Sequence, residues 1–416
     1  MKLKCLLVFL FVLIHTYIIS QKNSRLLDSV LKISAVLTKV LQQKAKYKPQ
    51  IIYTQINRDA NNQPRFTNHT YLLDSNSYFY CASLVKLPCA IFSLEKINSL
   101  NEKGLTLQTP MLTDSNGICQ NKYLVDSSAE NGLPSIEQHI KKMFLVSDNH
   151  AFNKLFEFVT PPTLNLRLAE LGYPRARIVH RLDAACVGKG NRYFNPINFT
   201  DVNGAILYRQ ESDSLKEDIK MPFESLLIGR NMYNKKKRLI SERKDFSKSN
   251  YLPLKTVHEL LKKIMFTEAS NNTLQLSESD RKFLITQLGM YPRESIYPHY
   301  DEATYYDSFK KYFIYGSTIK KIESDSIRIF NIVGRAYGFL IDCAYIVDFN
   351  KKIEFMLSSV IYVNKRNSFG TGKYEYDTIG LPFLKELSLA LYAFETRRKK
   401  QFLPNLDSFN LYKTSH

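Results

Sequence analysis

A serine at the start of a helix and a lysine three residues later lie on the same helical face, one turn apart. The amine can then take the proton of the hydroxyl and leave a nucleophile for acyl transfer. Ser83-Leu84-Val85-Lys86 has this spacing. A helix N-terminus adds partial positive charge, which favours a developing oxyanion and a depressed lysine pKa. Spacing alone selects nothing, because Ser29/Lys32, Ser93/Lys96, Ser241/Lys244, Ser279/Lys282, Ser308/Lys311 and Ser317/Lys320 share it. For such a pair, two solvated side chains are the ordinary outcome. Context singles out Ser83, which follows the aromatic run Tyr78-Phe79-Tyr80 and opens an apolar segment that would bury Lys86 and tune it. Ser147-Asp148-Asn149 is the only S-D-N in the chain. It offers a hydroxyl to pass a proton to a leaving nitrogen, an aspartate to fix a loop, and an amide to hold a carbonyl and Lys86. The same three residue types also cap helices well, and both roles can hold at once.

The elements that must position these groups follow from periodicity. Apolar residues from Arg25 to Gln43 recur at helical spacing, so one helix is expected there, covering a sheet. Ile51–Ile56 and Arg65–Leu73 read as a hairpin around the polar stretch Asn57–Gln63. Leu84–Ile97 reads as a buried helix, with Pro88 in its first turns where proline is least harmful. Residues 135–143 and 149–159 are helical, and Pro161-Pro162 closes that section. Arg181–Pro196 is a structured loop. Gln210–Asn250 reads as an insertion or a helical excursion. Leu254–Phe266 and Ser279–Leu288 are helical. Strands are expected at Ile327–Ile332, Tyr337–Asp348 and Ile353–Val363, with turns at Val333-Gly334 and Phe349–Lys352. A closing helix is expected at Pro382–Arg397.

The N-terminus reads as a secretory signal over residues 1–20: Lys2 and Lys4, the apolar run Leu6–Ile19, then Ser20. The run is short for a span of about 20 apolar residues and contains His15 and Thr16. This predicts cleavage, export across the inner membrane to the periplasm, and no stable membrane span afterwards. Residues 21–416 then form one elaborated domain, whose 44% hydrophobic content is ample for a core. Loss of Lys2 and Lys4 takes the formal charge from +19 to +17. Such charge suits anionic envelope surfaces. The cluster Lys235-Lys236-Lys237-Arg238 lacks any recognition motif and reads as a solvated loop, so no nucleic acid is expected. Cys81, Cys89, Cys119, Cys186 and Cys343 remain, an odd number without metal-ligand spacing. No metal or cofactor is expected.

The segments Cys81–Leu87 and Val146–Asn153 resemble the class A β-lactamases and serine penicillin-binding proteins in the identity, order and separation of their S-x-x-K and S-D-N motifs. The resemblance implies an α+β fold with an antiparallel sheet flanked by helices beside an all-helical subdomain, and Ser83 in the cleft between them. It implies Ser83, Lys86, Ser147 and Asn149 as catalytic residues. The family's K-T-G, carried on an inner strand, aligns with Ile332-Val333-Gly334, followed by Arg335. Only Gly334 matches, so the groups that hold a substrate carboxylate are replaced. Arg335 would point to the opposite face from Ile332 and Gly334, while its backbone N–H would join that of Ser83 in an oxyanion hole. Gly334 and Arg335 are the substrate-binding candidates. Asp183 stands near the family's deacylating glutamate, one methylene shorter, with Val187 where a partner asparagine would be. The implied activity is hydrolysis of a β-lactam, of the kind that confers antibiotic resistance, or of a peptidoglycan-type amide or ester. A D-Ala peptidase or esterase is the alternative within the same chemistry. A binding protein with weakened catalysis is the alternative outside it.

Overall fold

The computed structural model of the chain describes residues 24–412 apart from 101, 119, 185–187, 235, 268–273 and 371. The signal segment, Cys119, Cys186, Val187 and Lys235 therefore lie outside the described residues. At its centre is an antiparallel sheet of β1 (Gln50–Arg58), β2 (Pro64–Tyr71), β3 (Ile327–Ala336), β4 (Phe339–Asp348) and β5 (Ile353–Tyr362), in the order β3-β4-β5-β1-β2. N-terminal and C-terminal strands meet where β1 pairs with β5, Gln50 opposite Val360.

Strand alternation gives the sheet two apolar faces. Ile52, Phe330, Ile332, Ile341, Cys343 and Met356 face one core, and Ile51, Tyr53, Ile329, Ala344, Phe355 and Leu357 face the other. The second face is covered by α1 (Arg25–Val30), α2 (Ala35–Gln42), the single turn α3 (Lys44–Tyr47) and the closing helix. The first carries α4 (Lys86–Leu100), α5 (Ile136–Val146), α6 (Asn149–Val159), α7 (Pro161–Glu170), α8 (Leu254–Met265) and α9 (Glu278–Gly289), and the closing helix is α10 (Leu381–Arg397). The fold is thus the expected antiparallel sheet with helices on both faces and a helical subdomain beside it.

Four local expectations change. The single N-terminal helix is two, because Ser34 accepts the Leu37 N–H at 3.3 Å and starts a new helix against the continuing apolar period. Pro161 and Pro162 open α7 instead of closing the section, since proline at the first helical positions gives up an N–H that has no partner there anyway. Segment 210–250 is not helical but built of short strand pairs, Leu227–Ile228 with Lys244–Asp245 and Asn231–Tyr233 with Leu239–Ile240. Finally, β3 runs straight through Val333-Gly334. The turn falls at Tyr337-Gly338, both with positive φ (53° and 84°), as a two-residue hairpin between Ala336 and Phe339 requires. Gly334 serves a close approach within the strand: a Cβ there would meet the Cys81 carbonyl oxygen at 2.7 Å. The strand carrying it is an edge strand, not an inner one.

Candidate active site

Ser83 lies in a 3-10 turn, Ala82–Val85, that runs directly into α4. Pro88 falls in the first turn of α4, where its missing N–H breaks no bond. Ala82 has φ 48°, an uncommon conformation for a residue with a Cβ, immediately before the serine. Ser83 N–H belongs to the first turn, where helices leave their N–H groups unpaired.

Lys86 is 0% exposed. Its Nζ lies 2.9 Å from Ser83 Oγ, 2.9 Å from Ser147 Oγ, 2.5 Å from the Ser147 carbonyl oxygen and 2.8 Å from Asn149 Oδ1. Ser147 ends α5 in the left-handed conformation, φ 62°, which turns both its carbonyl and its hydroxyl onto the amine. Asp148 caps α6, accepting the Ala151 N–H at 2.8 Å. The capping role and the placement of Ser147 and Asn149 beside Lys86 therefore coincide in one turn. None of the other S-x-x-K pairs shows a Ser Oγ to Lys Nζ bond among the described residues; Ser93, for example, donates to the Cys89 carbonyl.

Burial holds the Lys86 amine well below the usual lysine range; Lys310 lowers it further, and Asp148 opposes both. The Ser147 carbonyl and Asn149 Oδ1 can only accept, and they use both N–H bonds of a neutral amine.

The edge strand closes the site from the other side. Gly334 abuts Cys81 and Ala82, so the unpaired edge of β3 lies against the turn that presents Ser83. Ile332 is buried in the core on that face. The Arg335 guanidinium points away, 4.4 Å from the Tyr376 ring centroid and 3.8 Å from Asp377. Asp183 is exposed with φ 44°, and no hydrogen bond or ion pair joins it to Ser83, Lys86, Ser147 or Asn149. Its loop is nonetheless firmly attached to α6. Asn153 bonds both backbone groups of Leu182, at 2.8 and 2.9 Å, and Arg181 pairs with buried Glu157 at 3.2 Å. The strand pairs of 210–250 dock through Phe246, which packs on Tyr80, Tyr337 and Phe369. Cys81, Cys89 and Cys343 are free, buried thiols.

Lys310 was not among the residues expected here. It is buried and donates to the Phe144 carbonyl in the last turn of α5. Its signal in the sequence is Lys310-Lys311 inside the aromatic stretch Tyr305–Phe313, an odd place for a solvated pair of charges.

A hydroxyl, a buried amine and a second hydroxyl therefore meet where the edge of β3 and the helical subdomain join. Residues 32–218 match the protein-family model described as "Beta-lactamase enzyme family", a stretch that holds Ser83, Lys86, Ser147, Asn149 and Asp183 but not Gly334. No curated protein matches the chain. Among solved structures, a β-lactamase from Sphaerobacter thermophilus is 11% identical, with 88% of this chain and 98% of that chain covered and a TM-score of 0.47. A class A β-lactamase from Clostridium kluyveri is 14% identical, covering 86% and 97%, with a TM-score of 0.45. PBP-A is 13% identical, covering 87% and 97%, with a TM-score of 0.47. Among the described residues no helix is long and apolar enough to cross a membrane.

Proposed function

We propose that the chain is an exported serine hydrolase that forms an acyl-enzyme at Ser83 and acts on a β-lactam or a related peptidoglycan-type amide or ester. The observation that carries this reading is the fully buried Lys86 amine, with Ser83 Oγ, Ser147 Oγ and two obligate acceptors all within 2.9 Å. Burying an amine beside two serine hydroxyls with no salt bridge is costly, which favours a chemical task for Lys86.

In the proposed reaction the Ser83 hydroxyl gives its proton to Lys86 Nζ as Oγ bonds to the substrate carbonyl carbon. The oxyanion is received by the N–H of Ser83 and a backbone N–H on the edge of β3, Arg335 being the candidate. The C–N bond then breaks. The departing nitrogen takes a proton from Ser147 Oγ, which is replenished from Lys86. Asn149 holds Lys86 through Oδ1 and has its amide nitrogen free for a substrate carbonyl. Water then attacks the ester, returning the Ser83 hydroxyl and releasing the acid, with Asp183 the candidate to take its proton.

A second reading, a D-Ala peptidase or esterase, draws support from the apolar Ile332 and the averted Arg335, which leave no side-chain cation on the Gly334 face of β3 to bind a β-lactam carboxylate. Steady-state turnover of a penicillin, a cephalosporin, a D-Ala-D-Ala peptide and an activated ester separates the two. Selective β-lactam turnover supports the first reading, peptide or ester turnover supports the second, and no turnover with any of them contradicts both.

A further inference from the structure

The mechanism above leaves one buried charged group beside the site without a task. Lys310 reaches the site from the segment between α9 and β3 and caps Phe144, one turn before Ser147. Helix ends leave their last carbonyls unpaired and carry partial negative charge, so an ammonium is suited to this position. Lys86 takes the Ser147 carbonyl of the same helix end. Two lysines from separate elements thus share one helix terminus. We propose, resting on the acyl-serine reading, that Lys310 is a positioning residue for it: Lys310 fixes the α5 turn that carries Ser147, and its positive charge repels a second one at Lys86.

The surrounding groups hold Lys310 in this place. Asn331 of β3 donates to the Lys310 carbonyl at 2.8 Å and to Asp342 Oδ1 at 2.9 Å, and it accepts from Lys311 Nζ at 2.8 Å. Asp342 Oδ2 accepts the Phe313 N–H at 3.1 Å. Lys311 also donates to the Leu288 and Ile329 carbonyls, at 3.0 and 2.8 Å, so it ties α9 to β3. The charged groups facing Lys86 are Asp148 from the α5–α6 turn and Lys310; those facing Lys310, besides Lys86, are Asp342 of β4 and the adjacent Lys311. Burial, with Asp342 opposing it, brings Lys310 down to about 7, while burial and the Lys310 charge together hold Lys86 well below the usual lysine range.

The test is an NMR titration of Nζ-15N-lysine-labelled protein, with K86M to assign the Lys86 signal, in wild type, K310M and K310R. No substrate is involved, so a failed acyl-serine reading and a failed Lys310 proposal give separate results. The expected outcome is a Lys86 midpoint that rises by about one pH unit or more in K310M and stays at or below the wild-type value in K310R. Equal midpoints in wild type and K310M, or a rise of the same size in both variants, would overturn the proposal. If K310M does not fold, K310R decides alone: a raised Lys86 midpoint there refutes it.

Discussion

Gly334→Ala tests whether the sheet edge and the Ser83 turn act as one unit. The backbone at Gly334 has no positive φ, so alanine strains nothing by itself. Its Cβ would instead lie 2.7 Å from the Cys81 carbonyl oxygen, 3.0 Å from Ile341 Cδ1 and 3.4 Å from Ala82 Cβ. An ordinary C···O contact is about 3.3 Å, so strand and turn must part by roughly 0.6 Å. Ile341 can rotate aside, whereas the Cys81 carbonyl is backbone and cannot. Overpacking of this kind costs about 1–3 kcal/mol of stability. A 1 Å displacement at a reacting centre costs on the order of 100-fold in rate, so about tenfold is expected here. Stopped-flow acylation by a chromogenic cephalosporin, with thermal unfolding alongside, measures both. A G334A protein that acylates at the wild-type rate would refute the reasoning that β3 positions Ser83.

Three further outcomes follow from the same geometry. Asn149→Asp places a carboxylate 2.8 Å from Lys86 Nζ; it should stabilise the ammonium and move the acid limb of the acylation pH profile up by about 1–3 units, and an unmoved limb would argue against Lys86 as the base. Glu157→Ala strands Arg181 without its buried partner, and urea unfolding should show a loss of about 3–5 kcal/mol; a loss under about 1 kcal/mol would mean that this pair does not secure the Asp183 loop. For pH and stability, the folded value of Lys310, about 7, lies below its unfolded value of about 10.4. The unfolded chain therefore binds more protons between pH 7 and 10, and stability should rise with pH across that window, more steeply in wild type than in K310M. Equal slopes in chemical denaturation would contradict a buried, depressed Lys310.

Much of the site is legible in the sequence because its parts are local. Ser83 and Lys86 are one turn apart, and Ser147 to Asn149 are consecutive, so spacing alone joins them; the apolar run after Ser83 foretells the burial of Lys86. Position in three dimensions is what spacing lacks. Gly334 reads as a turn until the Cys81 carbonyl is found beside it, and Lys310 lies more than 200 residues from Lys86 in sequence. The 210–250 segment shows no strand pattern because its strands are two or three residues long, too short for a period to register. Its anchor, Phe246, sits in the polar stretch Glu242–Asn250, and the cluster of Tyr80, Tyr337 and Phe369 gives it meaning.

The central claim is that Ser83 becomes acylated. It is tested most directly by intact mass of the wild type and Ser83→Ala after brief exposure to a penicillin and a cephalosporin, with drug loss followed in the same samples and any adduct mapped by proteolysis. The account predicts an adduct on the peptide containing Ser83, or drug consumption, in the wild type and neither in the variant. An adduct elsewhere, or equal drug consumption by both proteins, would contradict it.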